Sequence, residues 1–254
     1  MPYAPPTSPS RRAFAAALAA LFLVPACSRV RTGPDESHVI RLGVEGGPHA
    51  EIAEVAKGAL AKQGITLKVL EFSDYTRPNA ALFDGDLDAN SYQHQPYLDA
   101  QNASRGYDFV SVGKTVVFPI GVYSAKVRSL DALPPGGTIA FPNDPSNGGR
   151  SLLLLQANGL IHLKAGSDPV TPTVADVETN PKGLRFVEVD AAQLPTVLPD
   201  VAAAIINTNY ALQAKLDPDE EEHPQREAEG GRQRGGDADH GQRFAQGIKT
   251  ARAS

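Results

Sequence analysis

Along the body of this chain, short continuous apolar runs alternate with segments whose apolar residues have helical spacing. Residues 49–63 have helical spacing, with an apolar face formed by Ile52, Val55, Ala56, Ala59 and Leu60. The runs that predict strands lie at residues 39–44, 66–72, 87–90, 109–112, 116–124, 138–142, 184–189 and 203–206. Strands that alternate with helices predict an α/β protein with mostly parallel sheets.

Two such α/β runs flank the strand at 116–124, which divides the body into two lobes. We expect residues 39–115 to form the first lobe and residues 116–216 to form the second. Ligands of parallel sheets bind outside the carboxyl ends of the strands. A cleft between the lobes is therefore the expected place for a site.

A strand-to-helix junction in the second lobe is the first candidate for chemistry. Residues 143–150 are Asn-Asp-Pro-Ser-Asn-Gly-Gly-Arg, and a helical run follows from Ser151. Free N–H groups of a first helical turn favour an anion, and the planar guanidinium of Arg150 suits a carboxylate or a phosphate. No Lys-Ser/Thr pair follows the glycines, which disfavours a nucleoside triphosphate. The alternative is an ordinary connection in which Arg150 pairs with a neighbouring Asp.

Other polar and aromatic side chains follow the predicted strands at the same ends. They are Phe72, Tyr75, Tyr92, His94, Asn143, Asn207 and Asn209. With Arg150 they suit a zwitterionic amino acid, because a guanidinium binds its carboxylate, asparagine oxygens accept from its ammonium and aromatic faces cover an apolar side chain. Structural explanations stay open: Asn207 can cap the next helix, the tyrosines can belong to the core, and His94 can bond to backbone.

The N-terminus predicts export and lipid attachment. Arg11 and Arg12 precede an apolar run at 15–24, and Pro-Ala then leads to Cys27, the single cysteine of the chain. This layout predicts a lipoprotein signal peptide over residues 1–27, with Cys27 carrying the lipid, palmitate included. Residues 28–38 then form a polar tether. The arginine pair also resembles a twin-arginine signal, so the export route stays open.

Composition and charge disfavour several other classes of function. The chain has 254 residues, a net charge of −5 and 41% apolar residues, which is enough for a core and gives no basic stripe for nucleic acid. No metal-spaced His/Cys set and no cofactor fingerprint is visible in the sequence, so neither a metal nor a cofactor is implied. The enzyme alternative uses His94 with Asp88 or Asp99 as acid and base.

Six segments together resemble one family. They are Gly-Pro-His-Ala-Glu at 47–51, Glu-Phe-Ser-Asp-Tyr at 71–75, Asp-Leu-Asp-Ala-Asn at 86–90, Gln-His-Gln-Pro-Tyr-Leu at 93–98, Pro-Asn-Asp-Pro-Ser-Asn-Gly-Gly-Arg at 142–150 and Ile-Asn-Thr-Asn-Tyr-Ala at 206–211. The joint pattern resembles the NlpA-type substrate-binding lipoproteins of methionine ABC transporters. This resemblance implies a two-lobed periplasmic-binding-protein fold (type II) that closes on methionine.

The same resemblance implies a role for each candidate residue. Arg150 matches the carboxylate-binding arginine, and Asn207 matches a polar ligand of the amino acid's head group. The side-chain pocket is matched by Phe72, Tyr75, Tyr92 and His94, with Asn143 close by. The implied partners are L-methionine or a related small amino acid, an ABC permease with its ATPase and, through the lipid anchor, a membrane. The implied place is the cell envelope, facing the periplasm or the exterior.

The resemblance ends near the C-terminus. Relatives continue with a Ser-Pro-Tyr-x-Asn stretch, a return strand and helices, whereas residues 217–254 are rich in Gly, Arg, Gln and Asp and lack apolar spacing. We expect a disordered, non-family tail, a fold that is incomplete at this end and unpaired backbone beside residues 120–124. The alternative function is a truncated or frameshifted remnant with impaired or no ligand binding.

Overall fold

A computed structural model of the chain describes residues 38–216 and the backbone of residues 248–250. The predicted signal peptide with Cys27, most of the tether and most of the tail lie outside the described residues. Within those ranges, every helix is too short or too polar to cross a lipid bilayer.

The first lobe is built on a parallel sheet with the strand order β2-β1-β3. Its strands are β1 (Val39–Glu45), β2 (Thr66–Phe72) and β3 (Ala89–Ser91). Its helices are α1 (Pro48–Ala61), α2 (Arg77–Phe83) and α3 (Gln95–Arg105). Each helix has a proline at its first or second position. The N–H groups there have no partner within a helix, so a proline costs no hydrogen bond. Helix α3 ends at Gly106 in the left-handed conformation, as a glycine cap allows.

Helix α1 buries a different face from the one that its apolar stripe predicts. Ala50 and Ala53 are buried in one cluster with Val44 of β1, whereas Ile52 and Val55 are 44% and 77% exposed. Residues three apart share a helix face, and alanine lets that face approach the strand closely. The predicted buried face through Ile52 and Val55 is therefore wrong.

The second lobe is built on a sheet with the strand order β10-β4-β9-β5-β8, in which only the β4–β9 pair is antiparallel among the described strands. Its strands are β4 (Ile120–Ser124), β5 (Thr138–Pro142), β8 (Arg185–Val189), β9 (Ala203–Asn207) and β10 (Ile248–Thr250). Its helices are α4 (Pro145–Ala157), α5 (Leu194–Val197) and α6 (Thr208–Gln213). A small antiparallel pair, β6 (His162–Leu163) with β7 (Val177–Thr179), and 3-10 turns at Val174–Asp176 and Ala191–Gln193 complete the lobe.

The central strands of this sheet are buried on both faces. Ile139 and Phe141 of β5 pack in one cluster with Leu152 and Leu155 of α4. Ala140, between them in the strand, lies in a second cluster on the opposite face. Burial on both faces explains the unbroken apolar runs of the sequence. The predicted two-lobed α/β fold with mostly parallel sheets is confirmed.

The connection between the lobes contains less strand than predicted. Residues 109–112 form no strand, and β4 begins at Ile120 rather than at residue 116. Val110 and Val112 are 77% and 94% exposed. The β-branched side chains of these residues predict a strand, but no strand of the described residues pairs with them.

The edge of the second sheet beside β4 is covered in part. Ile248–Thr250 pairs in parallel with residues 122–124. The expectation of unpaired backbone is therefore wrong along this stretch. A strand edge presents free N–H and C=O groups, which any extended backbone can satisfy whatever its side chains are.

Helix α4 begins at Pro145 rather than at Ser151. The carboxylate of Asp144 caps it, accepting from the backbone N–H of Asn147 at 2.9 Å and from the hydroxyl of Ser146 at 2.7 Å. Because the chain's own carboxylate occupies the helix N-terminus, the predicted anion pocket of backbone N–H groups is wrong. Arg150 lies inside the helix.

Gly148 and Gly149 lie within α4 at places where other backbone atoms approach the helix, with the carbonyl oxygen of Pro142 3.1 Å from a Cβ at Gly148. A Cβ at Gly149 would lie 2.5 Å from the carbonyl oxygen of Val170 and 2.8 Å from the Cα of Thr171. Both atoms are backbone and cannot rotate away. These glycines are therefore close-approach residues of a helix, not turn residues.

We expect Gly149→Ala to lower the free energy of unfolding by about 1–3 kcal/mol, because the new methyl group must displace backbone. Gly58→Ala is the matched control, since it adds the same group on α1 with nothing within 4 Å. The control should be neutral or stabilise the protein by about 0.5–1 kcal/mol. Urea unfolding followed by circular dichroism measures both, and a neutral Gly149→Ala contradicts the close packing.

Candidate ligand-binding site

Arg150 and two asparagines form a hydrogen-bonded group in the second lobe. The side-chain oxygen of Asn147 accepts from Nη1 of Arg150 at 3.1 Å and from Nδ2 of Asn207 at 3.0 Å. Nη2 of Arg150 donates to the backbone carbonyl of Phe118 at 3.3 Å. Asn147 and Arg150 share one face of α4, and Asn207 ends β9. The three side chains therefore meet at the carboxyl end of β9, where the sequence predicted a site.

The structural explanations for Arg150 and Asn207 do not hold. The hydrogen bonds of Arg150 go to Asn147 and Phe118, and Asp144 acts on it only as a nearby charge. Burial lowers the pKa of Arg150, but a guanidinium with so high an ordinary pKa keeps its proton at neutral pH. Asn207 stands at the N-cap of α6, yet its side chain makes no capping bond.

Four tyrosines form a second group, the tyrosine cluster, which consists of Tyr75, Tyr92, Tyr97 and Tyr210. The ring of Tyr75 lies 6.0 Å from the rings of Tyr92 and Tyr97 and 4.9 Å from that of Tyr210. The hydroxyls of Tyr92 and Tyr97 both donate to the backbone carbonyl of Tyr75 at 2.9 Å. Burial raises the pKa of all four phenols, so the cluster is uncharged at neutral pH.

Two hydrogen bonds connect the lobes beside these groups. The hydroxyl of Tyr75, after β2, donates to Oδ1 of Asn209 in α6 at 2.6 Å. Nearby, Nε2 of Gln213 in α6 donates to the carbonyl of Gly46, directly after β1, at 2.9 Å. These bonds join the carboxyl ends of first-lobe strands to a helix of the second lobe. The site accordingly takes side chains from both lobes.

His94 stands at the start of α3 with a free ring nitrogen. Its backbone carbonyl accepts from the N–H groups of Tyr97 and Leu98 at 3.1 Å. Nε2 is buried and has no hydrogen-bond partner among the described residues. Burial, with the positive charge of Arg150, lowers the pKa of His94 to about 4, so the ring is neutral at neutral pH.

Phe72 and Asn143 lie beside cavities that the tyrosine cluster does not line. Phe72 ends β2, with the guanidinium carbon of Arg77 5.8 Å from its ring centroid, and lines a cavity of about 530 Å³. Asn143 is exposed and lines a separate cavity of about 150 Å³ together with Thr171 and Glu188. Ligand contact by Phe72 and Asn143 therefore stays a prediction.

Both carboxylates of the enzyme alternative are engaged by other groups. Asp88 accepts from the backbone N–H of Arg41 at 2.7 Å and from its guanidinium at 2.8 Å, which lowers the pKa of Asp88 to about 2. Asp99 accepts from the side-chain amide of Gln95 at 2.7 Å. The acid–base pair that this alternative requires with His94 does not form in the described residues.

Glu45 is the main feature of the site that sequence analysis missed. It ends β1, is 0% exposed, and neither carboxylate oxygen has a hydrogen-bond partner among the described residues. Burial raises the pKa of Glu45 to about 8, and the charges of Asp74 and Asp190 contribute. A glutamate before Gly-Gly resembles an exposed turn residue, so the sequence carries no signal of its burial.

Asn147, Tyr97 and Tyr210 were also not predicted as site residues. All three lie within the segments 93–98, 142–150 and 206–211, which carry the family resemblance. That resemblance is therefore the one sequence signal that points to them. Their roles depend on which face of a helix they occupy, and the sequence pattern alone did not give that face.

Several buried polar atoms around the site lack a partner among the described residues. They are both carboxylate oxygens of Glu45, Nε2 of His94, Oδ1 of Asn207, Nδ2 of Asn209 and the hydroxyl of Tyr210. Unsatisfied buried polar atoms are rare in proteins, so a concentration of them indicates a binding site. A guanidinium, a carboxylate and neutral aromatic faces in one place suit a small zwitterion with an apolar side chain.

Two α/β lobes that bring polar and aromatic side chains together between them define a substrate-binding protein of the periplasmic type. The sequence profile of the NlpA lipoprotein family matches residues 40–229. This chain belongs to the NlpA lipoprotein family.

Relatives and solved structures agree with this assignment. The chain is 51% identical over 201 residues to the D-methionine-binding lipoprotein MetQ of Yersinia pestis, covering 77% of this chain and 74% of that protein. It is 50% identical, with the same coverage, to the protein of that name from Escherichia coli K12. A nutrient-binding protein from Burkholderia cenocepacia bound to methionine has a TM-score of 0.68 at 56% identity, over 70% of this chain and 76% of that one. The crystal structure of the methionine-binding protein MetQ has a TM-score of 0.69 at 52% identity, over 71% and 75%.

The comparisons bear on two expectations from the sequence. The family and these relatives are binding proteins, which favours a substrate-binding lipoprotein over both the enzyme and the remnant. The family match continues to residue 229, past the predicted start of a non-family tail at 217. The exact bounds of lobes and tail stay predictions.

The folded protein should lose stability as the pH rises from about 4.5 to 8, because Glu45 keeps its proton over this window when folded and releases it when unfolded. Glu45→Gln keeps the shape and removes the charge. We expect its melting temperature to exceed that of the wild type by about 5 °C at pH 8, and by less at pH 5.

Glu178→Gln, on exposed β7, is the matched control and should melt as the wild type does at both pH values. Differential scanning calorimetry of the ligand-free proteins measures the three melts. A Glu45→Gln protein that is less stable at pH 8 than the wild type contradicts an unpaired buried carboxylate.

Proposed function

We propose that this chain is the substrate-binding lipoprotein of an ABC importer and captures methionine, or a close analogue, between its two lobes. The observation that carries the proposal is the group of Arg150, Asn147 and Asn207, together with the bond across the lobes from Tyr75 to Asn209, two residues after Asn207. The names of the relatives and of the methionine-bound neighbour support the same ligand. In this proposal residues 39–115 and 116–216 are the lobes that close on it.

Arg150 binds the carboxylate of the ligand. Its present partners, the side-chain oxygen of Asn147 and the carbonyl of Phe118, are neutral acceptors at 3.1 and 3.3 Å. A carboxylate is a stronger acceptor and matches the two-pronged guanidinium, so the ligand competes well for these N–H groups. Asn207, fixed through Nδ2 by Asn147, offers its free Oδ1 to the amino-acid head group.

Aromatic faces bind the side chain of the ligand. Tyr75 and Tyr92 are neutral, and His94 is neutral because its pKa is about 4. An uncharged wall of rings suits a thioether, since sulfur makes favourable contacts with aromatic edges. Phe72 and Asn143 belong to the outer part of this pocket in the proposal.

Capture serves delivery to a membrane complex. The bound ligand passes to an ABC permease with its own ATPase, after a hinge motion of the lobes has enclosed it. Cys27 carries the lipid that holds the protein at the membrane of the cell envelope, facing the periplasm or the exterior. The tether at 28–38 leaves the lobes free to meet the permease.

Arg150→Met should weaken the binding of L-methionine by about 100-fold, because a charge-assisted carboxylate contact worth about 3 kcal/mol is lost. Arg128→Met, on an exposed arginine of the same lobe, is the matched control and should bind as the wild type does. Isothermal titration calorimetry measures the three dissociation constants. Equal affinities of the two variants would rule out Arg150 as the carboxylate receptor.

Cys27→Ser should abolish lipid attachment and release the protein from membranes, because this is the single cysteine of the chain. The measurement is metabolic labelling with a palmitate analogue, followed by separation of membrane and soluble fractions. Ser28→Ala, next to the cysteine, is the control and should stay labelled and membrane-bound. Labelling of Cys27→Ser at the wild-type level contradicts the assignment.

A further inference from the structure

Glu45 has no role in the ligand contacts proposed so far. Among the described residues it is the one buried carboxylate, and both its oxygens lack a hydrogen-bond partner there. Buried carboxylates are ordinarily paired with a cation or saturated with hydrogen bonds. When it is ionised, Glu45 therefore offers two acceptor oxygens to a group that the described chain does not supply.

The surroundings of Glu45 favour a cation. Glu45 pairs with Phe72, three residues before Tyr75, and the carbonyl of the next residue, Gly46, accepts from Gln213 of α6 at 2.9 Å. The carboxylate is therefore buried where strands of the first lobe meet α6, and its charge acts on the phenols of all four members of the tyrosine cluster. The charges that raise its pKa, those of Asp74 and Asp190, are also negative. Negative potential and aromatic faces both attract a positive group, and both are present here.

The charges of Glu45 and Arg150 both act on the hydroxyl of Tyr75. The charge of Glu45 raises the pKa of Tyr75, whereas the charge of Arg150 lowers it. The same hydroxyl donates to Asn209 across the lobes. Opposite charges around one point match a free amino acid, whose carboxylate and ammonium are attached to the same carbon.

We propose that Glu45 receives the α-ammonium group of the ligand while Arg150 holds its carboxylate, so that the site selects free α-amino acids over acids that lack an amino group. This inference rests on the proposed function and assigns a further residue to it. Oδ1 of Asn207 and the hydroxyl oxygen of Tyr210, both buried without a partner among the described residues, are acceptors for the remaining ammonium protons.

Binding through Glu45 should depend on pH, because only its ionised form pairs with an ammonium. With a pKa of about 8 in the free protein, Glu45 must release a proton when the ligand binds. Affinity should then rise between pH 6.5 and 8, by at most about tenfold per unit. His94, with a pKa of about 4, and the tyrosines stay neutral over this range. The titratable groups that face Glu45 are Asp74, Tyr75, Tyr92, Tyr97, Asp190 and Tyr210.

The test pairs a change in the protein with a change in the ligand. Calorimetric titrations use L-methionine and 4-(methylthio)butanoate, which is methionine without its amino group. We expect Glu45→Gln to weaken the binding of L-methionine at pH 8 by at least about tenfold. The same variant should bind the desamino acid as tightly as the wild type does, or more tightly. The pH dependence of L-methionine affinity should disappear in the same variant. Glu178→Gln is the matched control and should leave the affinity for both ligands unchanged.

The outcomes separate this inference from the proposed function. Equal affinity of Glu45→Gln and wild type for L-methionine overturns the role of Glu45 and leaves methionine capture standing. An equal loss of affinity for both ligands in Glu45→Gln indicates a structural role and also overturns the role of Glu45 as ammonium receptor. A wild-type protein that binds neither ligand overturns the proposed function and this inference together.

Discussion

The side-chain oxygen of Asn147 holds the polar half of the site in place. It accepts from Arg150 and from Asn207, and so connects helix α4 to the end of strand β9. The amide nitrogen of Asn147 in turn donates to the capping carboxylate of Asp144 at 2.9 Å. A buried donor or acceptor that loses its partner costs about 1–3 kcal/mol, so each member of this chain of bonds fixes the next. The start of helix α4 and the orientation of the guanidinium are therefore fixed by the same set of hydrogen bonds.

The first lobe contributes a wall of rings that is rigid although part of it stands on a loop. The carbonyl of Tyr75 receives two phenolic hydroxyls, and its own hydroxyl bonds to Asn209 of the other lobe. Side chains held in this way by supporting hydrogen bonds keep their geometry without a regular element beneath them. The charges of two residues outside this group of bonds, Glu45 and Arg150, act on the phenol of Tyr75 in opposite directions.

The parts of this protein that sequence predicts well are those in which one local signal dominates. The apolar runs of β5 and β9 are long and buried on both faces, and Gly106 ends α3 as a left-handed cap. The predicted start of α4 is wrong because Pro, Asn and Gly favour a turn locally, whereas the Asp144 cap starts the helix at Pro145, ahead of both glycines. Arg150 could be proposed from residue type and place. Glu45 could not, because burial of a charged side chain depends on contacts made by distant elements.

The tyrosine cluster gives this protein an optical property of its own. The chain contains no tryptophan and seven tyrosines, four of which crowd around the site. Ultraviolet emission from the folded protein therefore originates to a large extent at the place where the lobes meet, with no indole to absorb it by energy transfer. An occupant that changes the environment of these rings is seen directly by intrinsic fluorescence, without any attached dye.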